Sequence, residues 1–226
     1  MPRTDPHAHL RAVDPKLAAV IDRVGPCPLA EPLEGAYSPD YCFESLVRAI
    51  VSQQLSTKAA ATIFGRVAAL GRDGFPKPSE LAEAPPESLR AVGLSEAKTR
   101  AVHDLAARVL DGRLPLETLR ELDDDAVIDT LVAVRGIGRW TAEMFLMFRL
   151  RRPDILATGD LGLQKGMKAL YKLRAMPSPA VMQKRAEIWR PFRTVGCWYL
   201  WRVAETTTVR RTSSSATAAR PASRAR

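Results

Sequence analysis

The run LVAVRGIGRWTAEMFLMFRLRRPDILATGD, Leu131 to Asp160, decides how this chain folds. An apolar stretch with Leu131, Val132 and Val134 leads into a Gly-Ile-Gly turn, and a second apolar stretch begins after Arg139. That pattern predicts two helices joined by a tight hairpin. Gly136 and Gly138 have no side chains to fend off a ligand. Amides at the start of the second helix can therefore point at phosphate oxygens, where a helix N-terminus adds partial positive charge. A Gly-x-Gly turn serves equally to let two helices cross closely. Further on, ATGDLGLQKG sets Asp160 before another predicted helix, where it reads as an N-cap and equally as a fixed carboxylate.

Outward from that stretch the punctuation is helical. Asp14 to Val24 predicts a short helix stopped by Gly25-Pro26, and Phe43, Leu46, Val47, Ile50 and Val51 recur at helical spacing with Glu44 and Arg48 on the other face. Ala59 to Leu70 continues as a second helix, and a Gly- and Pro-rich loop ends at Ser79, read as an N-cap. LRAVGLSEAK turns at Gly93. Further helices are predicted over 95–110, 124–134, 139–150, 161–173, 179–188 and 192–206. No segment alternates convincingly, so the fold class is all-α. Residues 1–13 read as a frayed N-terminus, 14–206 as one folded domain, and 207–226, rich in Ser, Thr, Ala and Arg, as a disordered basic tail.

Composition narrows the partners. The 226 residues carry a net charge of +9, which suits a polyanion such as DNA through counterion release. Arg210, Arg211, Arg220, Arg224 and Arg226 lie in the tail, so the folded body is only mildly basic. Cys27, Cys42 and Cys197 are scattered and form no C-x-x-C pair, which predicts reduced thiols in a cytoplasmic protein. His7 and His9 make an H-x-H pair, too few ligands alone for a metal site. No long apolar run or signal-like segment indicates a membrane or export, and nothing in the sequence demands more than a monomer.

VRGIGRWTAEMF around the hairpin, FESLVRAIVSQQLSTKAA (Phe43 to Ala60) and RPFRTVGCWYLWR (Arg190 to Arg202) stand in one order. Together they resemble the HhH-GPD superfamily of base-excision DNA glycosylases, most closely its alkylbase branch, 3-methyladenine DNA glycosylase II. The resemblance covers roughly Asp14 to Glu205. It implies a two-lobed helical fold with a cleft between lobes; related alkylbase glycosylases often carry an additional N-terminal β-rich domain, which is not expected here because too few residues precede Tyr37. The middle lobe would span about 58–150, and the other 14–57 with 151–206. Relatives like endonuclease III hold an iron-sulfur cluster on four closely spaced cysteines, a set that the three here cannot supply.

The resemblance also implies roles. Asp160 matches the superfamily's catalytic aspartate, which would stabilise positive charge on deoxyribose as the base departs and orient the attacking water. Trp140 stands where strand-cleaving relatives carry a Schiff-base lysine, which implies a monofunctional hydrolase that leaves an abasic site. Lys165 and Lys168, beyond Asp160, suit phosphate contacts or solvent better. Trp140 and Trp201 would line a base pocket and favour a cationic base, with Tyr37 and Phe43 as further candidates. Met144 and Leu161 stand where relatives can carry aromatics, which leaves the substrate range open. Gly136, Gly138, Arg139 and Thr141 would hold the DNA backbone, and Gln53, Gln54 or Leu55 would fill the gap left by a flipped nucleotide. Main-chain carbonyls of Val132, Val134 and Gly136 would hold a monovalent cation, and no other cofactor is required. The implied partner is double-stranded DNA with an alkylated base. Two alternatives stay open: a glycosylase for another damaged or mismatched base, and a noncatalytic helix-hairpin-helix DNA-binding module.

Overall fold

The computed structural model describes residues 4–31 and 37–217, with side chains as far as 207, and every regular element among them is helical. In chain order these are α1 (Pro6–Val13), α2 (Pro15–Val24), α3 (Pro39–Ser52), α4 (Thr57–Ala68), α5 (Pro78–Glu83), α6 (Pro86–Ala91) and α7 (Glu96–Leu110). They continue with α8 (Asp124–Val132), α9 (Arg139–Phe148), α10 (Leu161–Tyr171), α11 (Pro179–Ala186) and α12 (Arg193–Thr217). Short 3-10 turns cover Leu119–Glu121 and Glu187–Trp189. Prolines start many of these helices. Asp5, Asp14, Ser38 and Ser178 each cap backbone amides ahead of a proline in the first turn, where the missing N–H costs nothing.

The chain divides into two compact units, Leu33–Arg151 and Met1–Pro32 with Arg152–Arg226. In the first, which carries the hairpin, α3 packs on α4, α7 and α9, and α7 also packs on α5 and α6. Phe43, Leu46, Val47 and Ile50 fill its centre with Val102, Leu105 and Leu146, all buried. In the second, which carries Asp160, α10 lies along α12, and α2 packs on both. Gly166 makes that crossing possible, because a Cβ there would stand 2.1 Å from the Leu200 carbonyl oxygen. Buried Asp14 caps α2 and also accepts hydrogen bonds from Tyr171 Oη and Trp189 Nε1, so one carboxylate ties three segments of this unit.

Several sequence expectations need correction. Residues 1–13 are not frayed throughout: α1 forms, Leu10 is buried, and His7 Nε2 accepts from Cys27 N at 2.9 Å. The middle unit begins at Leu33 rather than near 58, because α3 belongs with the helices it packs against. The N-cap of α5 is Lys77, not Ser79, with Glu80 Oε2 accepting from Lys77 N at 2.8 Å. The final helix runs through Thr217, past the predicted start of the tail at 207, while the expectation for 218–226 lies outside the described residues. No helix among the described residues is long and apolar enough to cross a membrane.

Candidate functional site

In the unit Leu33–Arg151, α8 and α9 form the predicted hairpin. Gly136 has φ of 79°, a left-handed conformation that glycine adopts at no steric cost, and a Cβ there would also press on Ala101 at 3.3 Å. Gly138 is the N-cap of α9 and supplies no side-chain hydrogen bond, so no capping side chain covers the amino end of that helix. The turn is fastened from below: Arg135 N donates to Asp104 Oδ2 at 2.7 Å, and Arg108 Nε donates to the same oxygen at 2.9 Å. Burial works to raise the Asp104 pKa, but the hydrogen bonds from Arg135 and Arg108 outweigh it and hold the carboxyl below its ordinary value. Arg139 lies along α9 with Nε 3.1 Å from Glu143 Oε1, its guanidinium largely exposed.

Beside the hairpin, the loop after α3 presents the expected insertion residues. Gln53 Nε2 donates to Gly136 O at 2.7 Å, Gln54 takes a left-handed φ of 57°, and Leu55 is 37% exposed. A cavity of about 460 Å³ opens between α3 and α9, lined by Leu46, Ala49, Gln53, Gln54, Trp140, Thr141, Met144 and Phe148. Arg48 and Arg149 stand in its wall as well. Trp140 is 51% exposed there. A second, more polar cavity of about 280 Å³ has Arg100, Arg135, Gln54 and Gly136 among its lining residues.

In the other unit Asp160 caps α10. Its Oδ1 accepts from Leu163 N at 2.7 Å and from Trp201 Nε1 at 3.0 Å, and the residue is 9% exposed. Gly162 keeps this arrangement tight, since a Cβ there would fall 2.9 Å from Trp201 Cδ1 and 3.0 Å from Asp160 Oδ1. Leu161, next to the carboxylate, is 56% exposed.

The predicted site residues thus sort into two groups. Trp140, Met144, Thr141, Gln53 and Gln54 share one cavity, and Asp160, Leu161 and Trp201 share one helix start. Two pocket candidates fall away. Phe43 is only 2% exposed and meets Phe75 edge-on, so it belongs to the core. Tyr37 spends its hydroxyl on Leu116 O at 2.6 Å, with Arg120 over its ring, and neither residue lines the 460 Å³ cavity. Sequence reasoning missed Asp104 and Lys98, whose helical spacing marks them as surface charges, while Lys98 is bonded to two main-chain carbonyls and Asp104, besides Arg108 on its own helix, to the main-chain amide of Arg135. Of the carbonyls expected to hold a cation, Val134 O accepts from Ile137 N and Gly136 O from Gln53 Nε2.

A hairpin that bares a helix N-terminus, an aromatic cavity beside it and a capped carboxylate together define a helical DNA-handling enzyme class. Residues 47–191 match the HhH-GPD superfamily of base excision DNA repair proteins, and the chain belongs to that superfamily. It is 38% identical over 165 residues to DNA-3-methyladenine glycosylase 1 of Schizosaccharomyces pombe, covering 72% of each chain. It is 30% identical to the alkylbase DNA glycosidase-like protein mag2 of the same yeast, over 86% of this chain and 91% of that one. The fold matches the DNA-3-methyladenine glycosidase of Bacillus halodurans with a TM-score of 0.79 and 37% identity over 92% of each chain. It also matches S. pombe Mag1, solved in complex with abasic DNA, with a TM-score of 0.75 and 34% identity, covering 88% of this chain and 96% of that one.

Proposed function

We propose that this protein is a monofunctional DNA glycosylase that removes alkylated bases, such as 3-methyladenine or 7-methylguanine, from double-stranded DNA and leaves an abasic site. The observation that carries the reading is Asp160, a carboxylate fixed through Oδ1 by the Leu163 amide and the Trp201 indole. Breaking the bond between base and deoxyribose builds positive charge on the sugar, and a fixed carboxylate stabilises that charge without reorganising. The same group orients or deprotonates the attacking water. An N3- or N7-alkylated purine already carries positive charge and leaves as a neutral base, so no separate acid has to protonate it. The names of the relatives in the yeast and in Bacillus support the same substrate class.

Each remaining part has a role in this reading. The open amino end of α9 at Gly138, with Gly136, Arg139 and Thr141, takes a backbone phosphate. The cavity with Trp140 and Met144 receives the extruded base, and its indole face favours a cation. Leu161 and Trp201 flank the carboxylate, and the exposed Gln54 and Leu55 fill the space the nucleotide leaves. The carbonyl oxygens of Val132, Val134 and Gly136, an all-oxygen set, suit a monovalent cation that would stiffen the turn. The protein acts as a monomer in the cytoplasm, where the DNA lies.

Tryptophan cannot form an imine with the sugar, so Trp140 separates hydrolysis from strand cleavage. With an alkylated duplex, strand breaks should appear only after hot alkali, and borohydride should trap no covalent enzyme–DNA adduct. Breaks without alkali, or a trapped adduct, would rule out the monofunctional mechanism.

A further inference from the structure

The loop after α3 is held by side chains from elements distant in sequence. A helix C-terminus leaves carbonyl oxygens unpaired and carries partial negative charge. At the end of α3 that need is met by Lys98, on the first turn of α7: its Nζ donates to Val51 O and to Gln53 O, each at 2.7 Å. Burial lowers the Lys98 pKa, as it does for an ammonium withdrawn from water. The Gln53 side chain then runs on to Gly136 O at 2.7 Å, inside the hairpin turn. The next two residues are the exposed ones, Gln54 in its left-handed conformation and Leu55. One line of hydrogen bonds therefore joins α7, the exposed loop and the hairpin.

We propose that Lys98 is a positioning residue: through Gln53 it braces the Gln53–Leu55 loop against the hairpin turn, so that the loop can enter a base stack as a nucleotide leaves it. The proposal rests on the glycosylase reading above. A loop that wedges into a duplex has to be ordered beforehand, because ordering it during insertion would add its entropy loss to the barrier. Lys98 serves that end by spending two of its three N–H donors on main-chain carbonyls of the loop. Loss of the brace should therefore slow excision where the lesion has to be parted from a partner base that the loop then supports, and spare it where that partner is missing.

The test compares single-turnover release of 7-methylguanine from a paired duplex with release of the same lesion facing a one-nucleotide gap, for the full chain with Lys98→Met and Lys98→Arg. Lys98→Met should lower the duplex rate about tenfold or more and the gapped rate no more than about twofold, and Lys98→Arg should restore most of the loss. Amide hydrogen exchange should rise together at 52–56 and 135–138 in Lys98→Met and stay unchanged in α10. Equal losses on both substrates would overturn the proposal, as would weaker binding to undamaged duplex with a salt slope smaller by about one, which would make Lys98 a phosphate contact. If the wild type releases no base from either substrate, the glycosylase reading fails, and hydrogen exchange then decides the brace. Joint loss of protection in the two loops supports it, and loss confined to 52–56 overturns it.

Discussion

In the unit that carries the hairpin, Trp140 and Gln54 stand exposed at an open cavity, Leu55 is exposed on the same loop as Gln54, and a substituent added at Gly138 would meet nothing within 4 Å. In the unit that carries Asp160 the carboxylate is buried, and Gly162, Gly166 and Gly196 each lie too close to Trp201, Leu200 or Trp189 to accept a Cβ unmoved. The contrast fits the role proposed for each region. A surface that grips a polyanion works with backbone amides and side chains left in water. A carboxylate that stabilises a short-lived charge works only if it is already in place, and close packing with paired hydrogen bonds holds it there.

The comparison can be broken most forcefully at Gly166. A methyl group there must displace the backbone of α12 at Leu200, so Gly166→Ala should cost about 3 kcal/mol or more and lower the melting temperature by several degrees. A wild-type melting curve would show that α10 and α12 have room to separate.

In the hairpin unit the largest loss should come from the anchor under the turn. Asp104→Ala removes bonds from Arg135 N and Arg108 and should cost about 2 kcal/mol at neutral pH. Because the folded-state pKa of Asp104 lies below the ordinary value, its contribution is complete above the unfolded-state pKa and fades as pH falls through the folded-state one. The gap between wild type and variant in denaturant unfolding should therefore close below about pH 4. A gap that widened on acidification would contradict the assignment.

Trp201→Phe keeps an aromatic ring and removes the indole donor to Asp160 Oδ1. Excision should slow about tenfold, mostly in kcat, with little change in DNA affinity. An effect on affinity alone would make Trp201 a base contact rather than a support for the carboxylate. The smallest effect should be that of Gly138→Ala. Its φ of −96° suits alanine, so stability should stay within about 0.5 kcal/mol, while a methyl group at the end of α9 proposed to take a phosphate should weaken DNA binding severalfold in a titration.

The helices and the hairpin were legible because their signals are local. The period of Phe43, Leu46, Val47 and Ile50 marks the buried face of α3, and Gly136 marks the turn. Asp5-Pro6 is an equally local start signal, but α1 is held by Leu10 in the core and by the bond from Cys27 to His7, and no pattern within the segment announces either. The same limit hid where the middle unit begins, since α3 is assigned by its packing on α4, α7 and α9. At the site, Asp160 and Trp201 were each visible from the sequence, while the bond between them joins residues 41 positions apart. Lys98 and Asp104 were hidden for a chemical reason: Lys98 serves main-chain carbonyls and Asp104, beyond its visible neighbour Arg108, serves the Arg135 amide, and main-chain atoms leave no mark in a sequence. Phe43 shows the converse, an aromatic that the resemblance offered for the pocket and whose ring the core takes instead, as its helical spacing already suggested.

The central claim is that the buried carboxylate does the chemistry while the hairpin unit does the holding, and Asp160→Asn tests it directly. Asparagine keeps an oxygen to accept from Leu163 N and Trp201 Nε1 and removes the negative charge, so fold and DNA affinity should persist. Release of 7-methylguanine from an alkylated duplex, read as alkali-dependent strand breaks, should fall by a factor of about 100 or more. A variant that binds DNA like the wild type and releases base at a similar rate would contradict the claim and move catalysis to another group.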